Sequence, residues 1–157
     1  MTLVAVVGGA VLVLDQVVKW LALHHLPPSV PVPVIDGLFS LTLVMNPGLA
    51  FGMLGTVPPG WRWAVALLSV LAVGVLASLA TRLLPEGGKV AAVAIGMIFG
   101  GAAGNLIDRA RFGAVVDFLD FYWNGWHWPA FNVADSAISV GVALLALRML
   151  AASPPQA

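Results

Sequence analysis

Apolar residues in this chain gather into long runs, and polar residues fall mainly between them. The first run, residues 3–26, is long enough to cross a bilayer, for which a helix needs about 20 residues. It has neither a basic leader nor a small-residue cleavage site, so it reads as a retained span. Three further runs follow at 61–84, 90–107 and 131–150. Pro59 and Pro85 bound the second, and the short connection 85–89 returns the third antiparallel beside it. Residues 109–129 read as a polar and aromatic loop, and the tail 153–157 as frayed.

Residues 27–60 carry a different pattern. Prolines at 27, 28, 31 and 33 forbid a helix at its start. From Leu38 the pattern alternates, with Phe39, Leu41, Leu43 and Met45 on one side and Ser40 and Thr42 on the other. That period of two predicts a short, half-buried strand. Asn46-Pro47-Gly48 reads as a turn, and apolar character resumes from Leu49 to Leu54. A small lobe lying on the membrane is expected here. The predicted fold is an all-α membrane protein with four up-and-down transmembrane helices and a small β-containing lobe between the first two. Residues 1–157 form one integral membrane domain.

Polar residues within the runs are few and patterned. Asp15 and Lys19 share a face of the first helix, the acid toward its N-terminus. A charge near the bilayer centre costs about 2.5–3.5 kcal/mol on insertion scales, which the surrounding Val, Leu and Ala can offset. The pair fits either a snorkelling, neutralised lysine or a device that positions a neighbouring loop. Gly96, Gly100 and Gly104 make one smooth helix face that permits close approach of another helix. Asn105 and Arg109 share a face, with Asp108 adjacent. Asn132, Asp135, Ser136 and Ser139 form a stripe on the last helix that must face protein or water.

Up-and-down connections leave both termini on one side and place every tryptophan (Trp20, Trp61, Trp63, Trp123, Trp126 and Trp128) on the other. Tryptophan prefers the headgroup level. Asp117, Asp135, Asn46 and the lobe fall on that same side, where the chemistry is expected. The positive-inside count gives no support for that side being outermost: Arg82, Lys89 and Arg148 lie opposite it, and Lys19, Arg62, Arg109 and Arg111 lie on it.

Composition agrees with the pattern. The chain has 157 residues, 61% hydrophobic and only 9% charged, against about 25% charged in a soluble domain. Its surface therefore faces something other than water. Zero formal charge indicates neither a nucleic-acid partner nor a basic membrane-surface tail. The absence of cysteine excludes disulfides and thiol catalysis. His24, His25 and His127 lack a metal-ligand spacing, and the His24–His25 pair reads as interfacial.

Asp117 lies between Val116 and Phe118, shortly before the last helix, and can fold back onto Asp135. Two carboxylates within hydrogen-bonding distance cannot both ionise, so one keeps a proton near neutral pH. The charged one can draw a proton from water while the protonated one polarises a peptide carbonyl. The same residue types also serve proton relays, ion sites and interhelical hydrogen bonds. A small proton- or ion-translocating protein using Asp117 and Asp135 would need polar residues through the whole membrane depth. Here the second span is nearly free of them. A purely structural bundle leaves the two aspartates unexplained.

At these residues the chain resembles the bacterial lipoprotein signal peptidase (signal peptidase II) family. Asp15-Gln16-Val17-Val18-Lys19 fits that family's DQxxK, and Asn46-Pro47-Gly48-Leu49-Ala50-Phe51-Gly52 its NxGAAFG, with Leu49 where alanine is usual. Residues 100–109 fit GGAxGNxIDR, Val116-Asp117-Phe118 follows at the usual place, and Phe131-Asn132-Val133-Ala134-Asp135 fits FNxAD. The resemblance implies a membrane aspartic endopeptidase with Asp117 and Asp135 as its catalytic pair. Its substrates would be prolipoproteins bearing a diacylglyceryl-modified cysteine, cleaved just before that residue. By the same resemblance, Asn46, Gly48, Gly101, Asn105, Arg109, Asn132 and Ala134 belong to the site, with Asp15 and Lys19 supporting it. It further implies no metal or organic cofactor, membrane lipid as surroundings, and a site on the outer face of the cytoplasmic membrane. The apolar lobe at 34–57 is expected to cover the substrate.

Overall fold

A computed structural model of the chain describes residues 1–48 and 62–151. Its elements are α1 (Thr2–His25), β1 (Val32–Ile35), β2 (Phe39–Asn46), α2 (Arg62–Phe112), β3 (Val115–Trp123), β4 (Trp126–His127) and α3 (Val133–Ala151). The predicted apolar continuation 49–54, including Leu49, the outer part of the predicted lobe to residue 60, Trp61 and the tail 153–157 lie outside the described residues.

Among the described residues, three helical stretches are long and apolar enough to cross a membrane: Thr2–His25, Gly87–Phe112 and Val133–Ala151. A shorter apolar stretch, Leu67–Leu76, precedes the second. Their outward side chains, among them Val13, Val17, Leu71, Val75, Val142 and Leu147, are large, apolar and exposed, as suits lipid. The predicted turn at 85–89 contracts to one residue. α2 is helical throughout except at Gly88, whose φ of 60° and ψ of −146° break it into two arms, a conformation open to glycine at little cost.

The loop expected at 109–129 is not a loop. α2 continues to Phe112, and the following residues form β3 and β4. With β1 and β2 they make a four-stranded antiparallel sheet in the order β1-β2-β3-β4. The protein is therefore mostly helical rather than all-α, and its sheet draws on both inter-helix segments. β3 escaped the alternation test because Val115, Val116, Asp117 and Phe118 are all buried, so both of its faces are covered there. The β3–β4 hairpin turns through Asn124 and Gly125, both with positive φ (54° and 80°), as a tight hairpin requires.

Strict alternation fails in β2 as well. Leu41 faces Leu119 and Val44 faces Asp117, so β2 carries one extra residue between those pairs. Such a bulge re-aims every side chain after it. Unbroken alternation would have put Asn46 with Ser40 and Thr42. The bulge turns it to the face of β3 that carries Asp117.

The helices meet through glycine. A Cβ at Gly96 would lie 2.9 Å from the Val4 carbonyl oxygen, one at Gly100 would strike the Gly8 carbonyl, and one at Gly104 the Asp15 carboxylate. On the other flank of α2, a Cβ at Gly101 would lie 2.5 Å from the carbonyl oxygen of Ala134 in α3. The polar stripe expected on the last helix is corrected accordingly. α3 buries Ala134, Asp135, Ala137 and Gly141, whereas Ser139 is exposed. Small residues win this face because α2 approaches so closely.

Gly100→Ala is expected to destabilise the fold by about 1–3 kcal/mol, the usual cost of overpacking. Gly9→Ala, which meets open space, should stay within about 0.5 kcal/mol. Thermal unfolding in one detergent compares them, and equal midpoints would contradict the close α1–α2 approach.

Candidate active site

The site is assembled around a buried cation. Lys19 is 2% exposed and Asp15 0%, so the lysine does not snorkel. Its Nζ sits 2.9 Å from Asp15 Oδ2 and 2.7 Å from Asp108 Oδ2, and donates to Asn105 Oδ1 at 2.8 Å. An ammonium has three donors and no acceptor; all three are used. Each carboxylate spends its other oxygen elsewhere. Asp15 Oδ1 accepts the Ala134 backbone N–H at 2.9 Å, and Asp108 Oδ1 accepts from Gln16 Nε2 at 3.0 Å. Asp108 Oδ2 also accepts the Val116 N–H at 3.1 Å. The first turn of α3 and the start of β3 are thereby tied to α1 and α2.

Asn132 precedes α3 and caps it, its Oδ1 accepting the Asp135 N–H at 2.9 Å. That bond aims its amide nitrogen at Asp117 Oδ1, 2.7 Å away, and at Asn105 Oδ1 at 3.2 Å. Asn105 in turn donates to Asp135 Oδ1 at 2.8 Å. Asp117 and Asp135 are thus joined through two amides and make no direct hydrogen bond, unlike the contact expected from the sequence. The second oxygen of Asp117 accepts from Asn46 Nδ2 at 2.9 Å. Asp135 Oδ2 has no donor among the described residues.

Burial pushes the Asp117 carboxyl up to about 7, and the negative charge of Asp135 adds to the effect. The amides of Asn46 and Asn132 and the charge of Lys19 pull the other way. A carboxyl that exchanges its proton near neutral pH is suited to acid–base work.

Arg109 ties the exit of β2 to α2. It donates to the Gly48 carbonyl at 2.8 Å and to the Asn105 carbonyl at 3.3 Å. Gly48 N–H closes an Asx turn on Asn46 Oδ1 at 2.9 Å. Arg109 Nε is buried without an acceptor among the described residues. Gly101 and Ala134 contribute by being small: one lies beneath the other where α2 meets α3. Every predicted site residue thus falls in one bonded or packed group.

Sequence reasoning missed two features. Asp108 and Gln16 belong to the Lys19 cluster, and their place beside Asn105 and Asp15 in the motifs was the available signal. A second polar cluster, on the opposite face of β3, centres on Asp120. It accepts from Ser40 Oγ at 3.2 Å, Thr42 Oγ1 at 3.3 Å and His127 Nδ1 at 3.0 Å. A carboxylate can only accept, so Nδ1 of His127 carries the hydrogen. The i+3 offset from Asp117 hides this partnership, which strand pairing creates.

The model of signal peptidase (SPase) II matches residues 7–151. The chain belongs to the signal peptidase II family. It is 52% identical over 146 residues to the lipoprotein signal peptidase of Geobacter sulfurreducens, covering 93% of this chain and 89% of that one. The lipoprotein signal peptidase of Neisseria gonorrhoeae is 47% identical over 143 residues, covering 90% and 85%. A bacterial membrane enzyme solved by the in meso method at 2.3 Å superposes with a TM-score of 0.78 at 25% identity, covering 100% of this chain and 94% of that one. The three apolar helices and this neighbour make the chain a multi-pass membrane protein.

Two outcomes are expected. Lys19→Met leaves Asp15 and Asp108 buried without their cation and should cost about 3–5 kcal/mol in detergent unfolding. The second concerns pH. Asp117 holds its proton in the folded state up to about 7, but only to about 3.9 when unfolded. Its stabilising contribution is therefore complete below about 4 and lost as pH rises through about 7, up to about 4 kcal/mol in all. Asp117→Asn should flatten that fall, and an unchanged stability–pH slope would refute the assignment.

Proposed function

We propose that this chain is an aspartic endopeptidase that removes signal peptides from prolipoproteins, cleaving before a diacylglyceryl-modified cysteine. The observation that carries the proposal is the pair of buried aspartates, Asp117 on β3 and Asp135 on α3, bridged by Asn132 and Asn105 in a chain matched to signal peptidase II over residues 7–151. Asp117 keeps its proton up to about 7, held there by burial and by the negative charge of Asp135, so one of the two carboxyls is protonated near neutral pH. A water between them loses a proton to the ionised carboxylate as it attacks the peptide carbonyl, which the protonated carboxyl polarises. The proton then passes to the leaving nitrogen.

The remaining residues orient these groups. Asn46 and Asn132 fix Asp117, Asn105 fixes Asp135, and the Lys19 cluster fixes Asn105. Arg109 holds the Gly48 turn. The arm of α2 before Gly88 serves as a further span, which gives four transmembrane helices. The site then lies on the side away from the termini, at the extracytoplasmic face of the bacterial inner membrane. A lipid-anchored substrate arrives there sideways through the bilayer.

The test is cleavage of a diacylglyceryl-modified prolipoprotein by purified protein in detergent, followed by mass. Asp117→Asn and Asp135→Asn should each lose about 10²–10⁴-fold in kcat while remaining folded. For wild type, kcat/KM should fall as pH rises above about 7, where Asp117 loses its proton. Intact substrate together with a proton flux sensitive to the same two substitutions would establish a relay instead.

A further inference from the structure

Beyond the aspartate pair, the sheet has two unlike faces. Asp117, Leu119, Phe121 and Trp123 alternate onto one face of β3, and Asp120 and Tyr122 onto the other. Trp126 pairs with Trp123, and Trp128 follows two residues later, so the aromatic face continues across the hairpin. His127 pairs with Tyr122 on the polar face, beside Asp120. Phe121 also packs on Phe39, with centroids 4.8 Å apart, and on Phe131 at 6.0 Å. A cavity of about 400 Å³ opens at the hairpin end of this face, lined by Leu38, Phe121, Trp123, Trp126, Trp128 and Phe131, with Tyr122 at its edge. Trp123 remains 76% exposed and Trp126 63%. These rings stand at the depth that tryptophan prefers, so the concavity they frame opens toward lipid.

Size and position select the occupant. The lining is almost entirely carbon, which suits hydrocarbon and not a headgroup. A concavity of about 400 Å³ has room for part of an extended acyl chain. Phe121 lies four residues from Asp117 on the same strand face, about 13 Å away at the usual rise. The hydrocarbon depth of one leaflet is about 15 Å. A chain attached beside the reacting bond can reach the cavity along that face.

We propose that the aromatic cavity of the β3–β4 hairpin binds an acyl chain of the substrate's diacylglyceryl group and sets the enzyme's preference for chain length. This rests on the peptidase reading above. The cavity lies on the strand face that carries Asp117, with Leu119 between, so its occupant is the lipid that the reacting peptide carries.

Two peptides differing only in palmitoyl or octanoyl chains on the modified cysteine test it, with detergent held fixed. Wild type should show a KM at least tenfold lower for the palmitoyl peptide, the effect of burying only about two of the eight methylenes by which each chain is longer. In the Trp126→Ala/Trp128→Ala variant that ratio should fall toward one. A measurement independent of that variant's folding is made in Asp117→Asn, whose hairpin is unaltered. There, a substrate with a photoreactive group at the acyl terminus should label residues 119–131, and excess palmitoyl phospholipid should not displace it. Equal KM values in wild type, labelling elsewhere, or displacement by phospholipid would each overturn the acyl site. Failure of wild type to cleave either peptide would overturn the peptidase reading itself.

Discussion

The interaction on which the rest depends is the burial of one ammonium. Lys19 lies in an apolar helix with almost no access to water, and a buried charge is tolerable only when paired and fully hydrogen-bonded. Its three donors are answered by Asp15, Asp108 and Asn105. Those acceptors come from α1 and α2, and their remaining bonds reach Ala134 of α3 and Val116 of β3. One cation therefore sets the distance between three helices and a strand. Asp117 lies one residue beyond Val116, and Asp135 one residue beyond Ala134. Both members of the candidate pair are positioned by carboxylates that share the same lysine.

The ammonium also sets the direction of the amides. Because Lys19 can only donate, Asn105 must present its oxygen to it, which turns its nitrogen to Asp135. Asn132 is constrained in the same way by the Asp135 backbone N–H, so its nitrogen faces Asp117. Each aspartate thus receives a side-chain donor whose orientation has been decided elsewhere. Preorganisation of this kind spares reorientation during a reaction. It works only because Gly101 and Gly104 let α3 and the Asp15 carboxylate come within reach of α2.

The sheet gives the site its second boundary. The bulge in β2 separates two roles that plain alternation would have merged: Asn46 turns to Asp117, while Ser40 and Thr42 stay with Asp120 on the far side. One face carries Asp117 and becomes apolar and aromatic beyond it; the other is hydrogen-bonded and polar. Such an amphipathic sheet, carried at the end of membrane helices, suits chemistry on a molecule that is part peptide and part lipid.

The three long apolar helices, the glycine face of α2 and the motif residues around both aspartates were all legible along the chain. Each depends on local regularities: run length, a four-residue spacing, or an ordered set of short motifs. β3, the bulge in β2, the exposure of Ser139 and the Asp120 cluster were not legible, because each is settled by a partner distant in sequence. Val115 to Phe118 lost their alternation when both faces were covered, and Asp120 met Ser40 only through strand pairing. Sequence by itself determined which residues are chemically equipped to act, since side-chain type and spacing are local properties. Tertiary structure alone decided that Asp117 and Asp135 meet through two oriented amides rather than directly, because that geometry follows from how a buried lysine is neutralised by several elements at once.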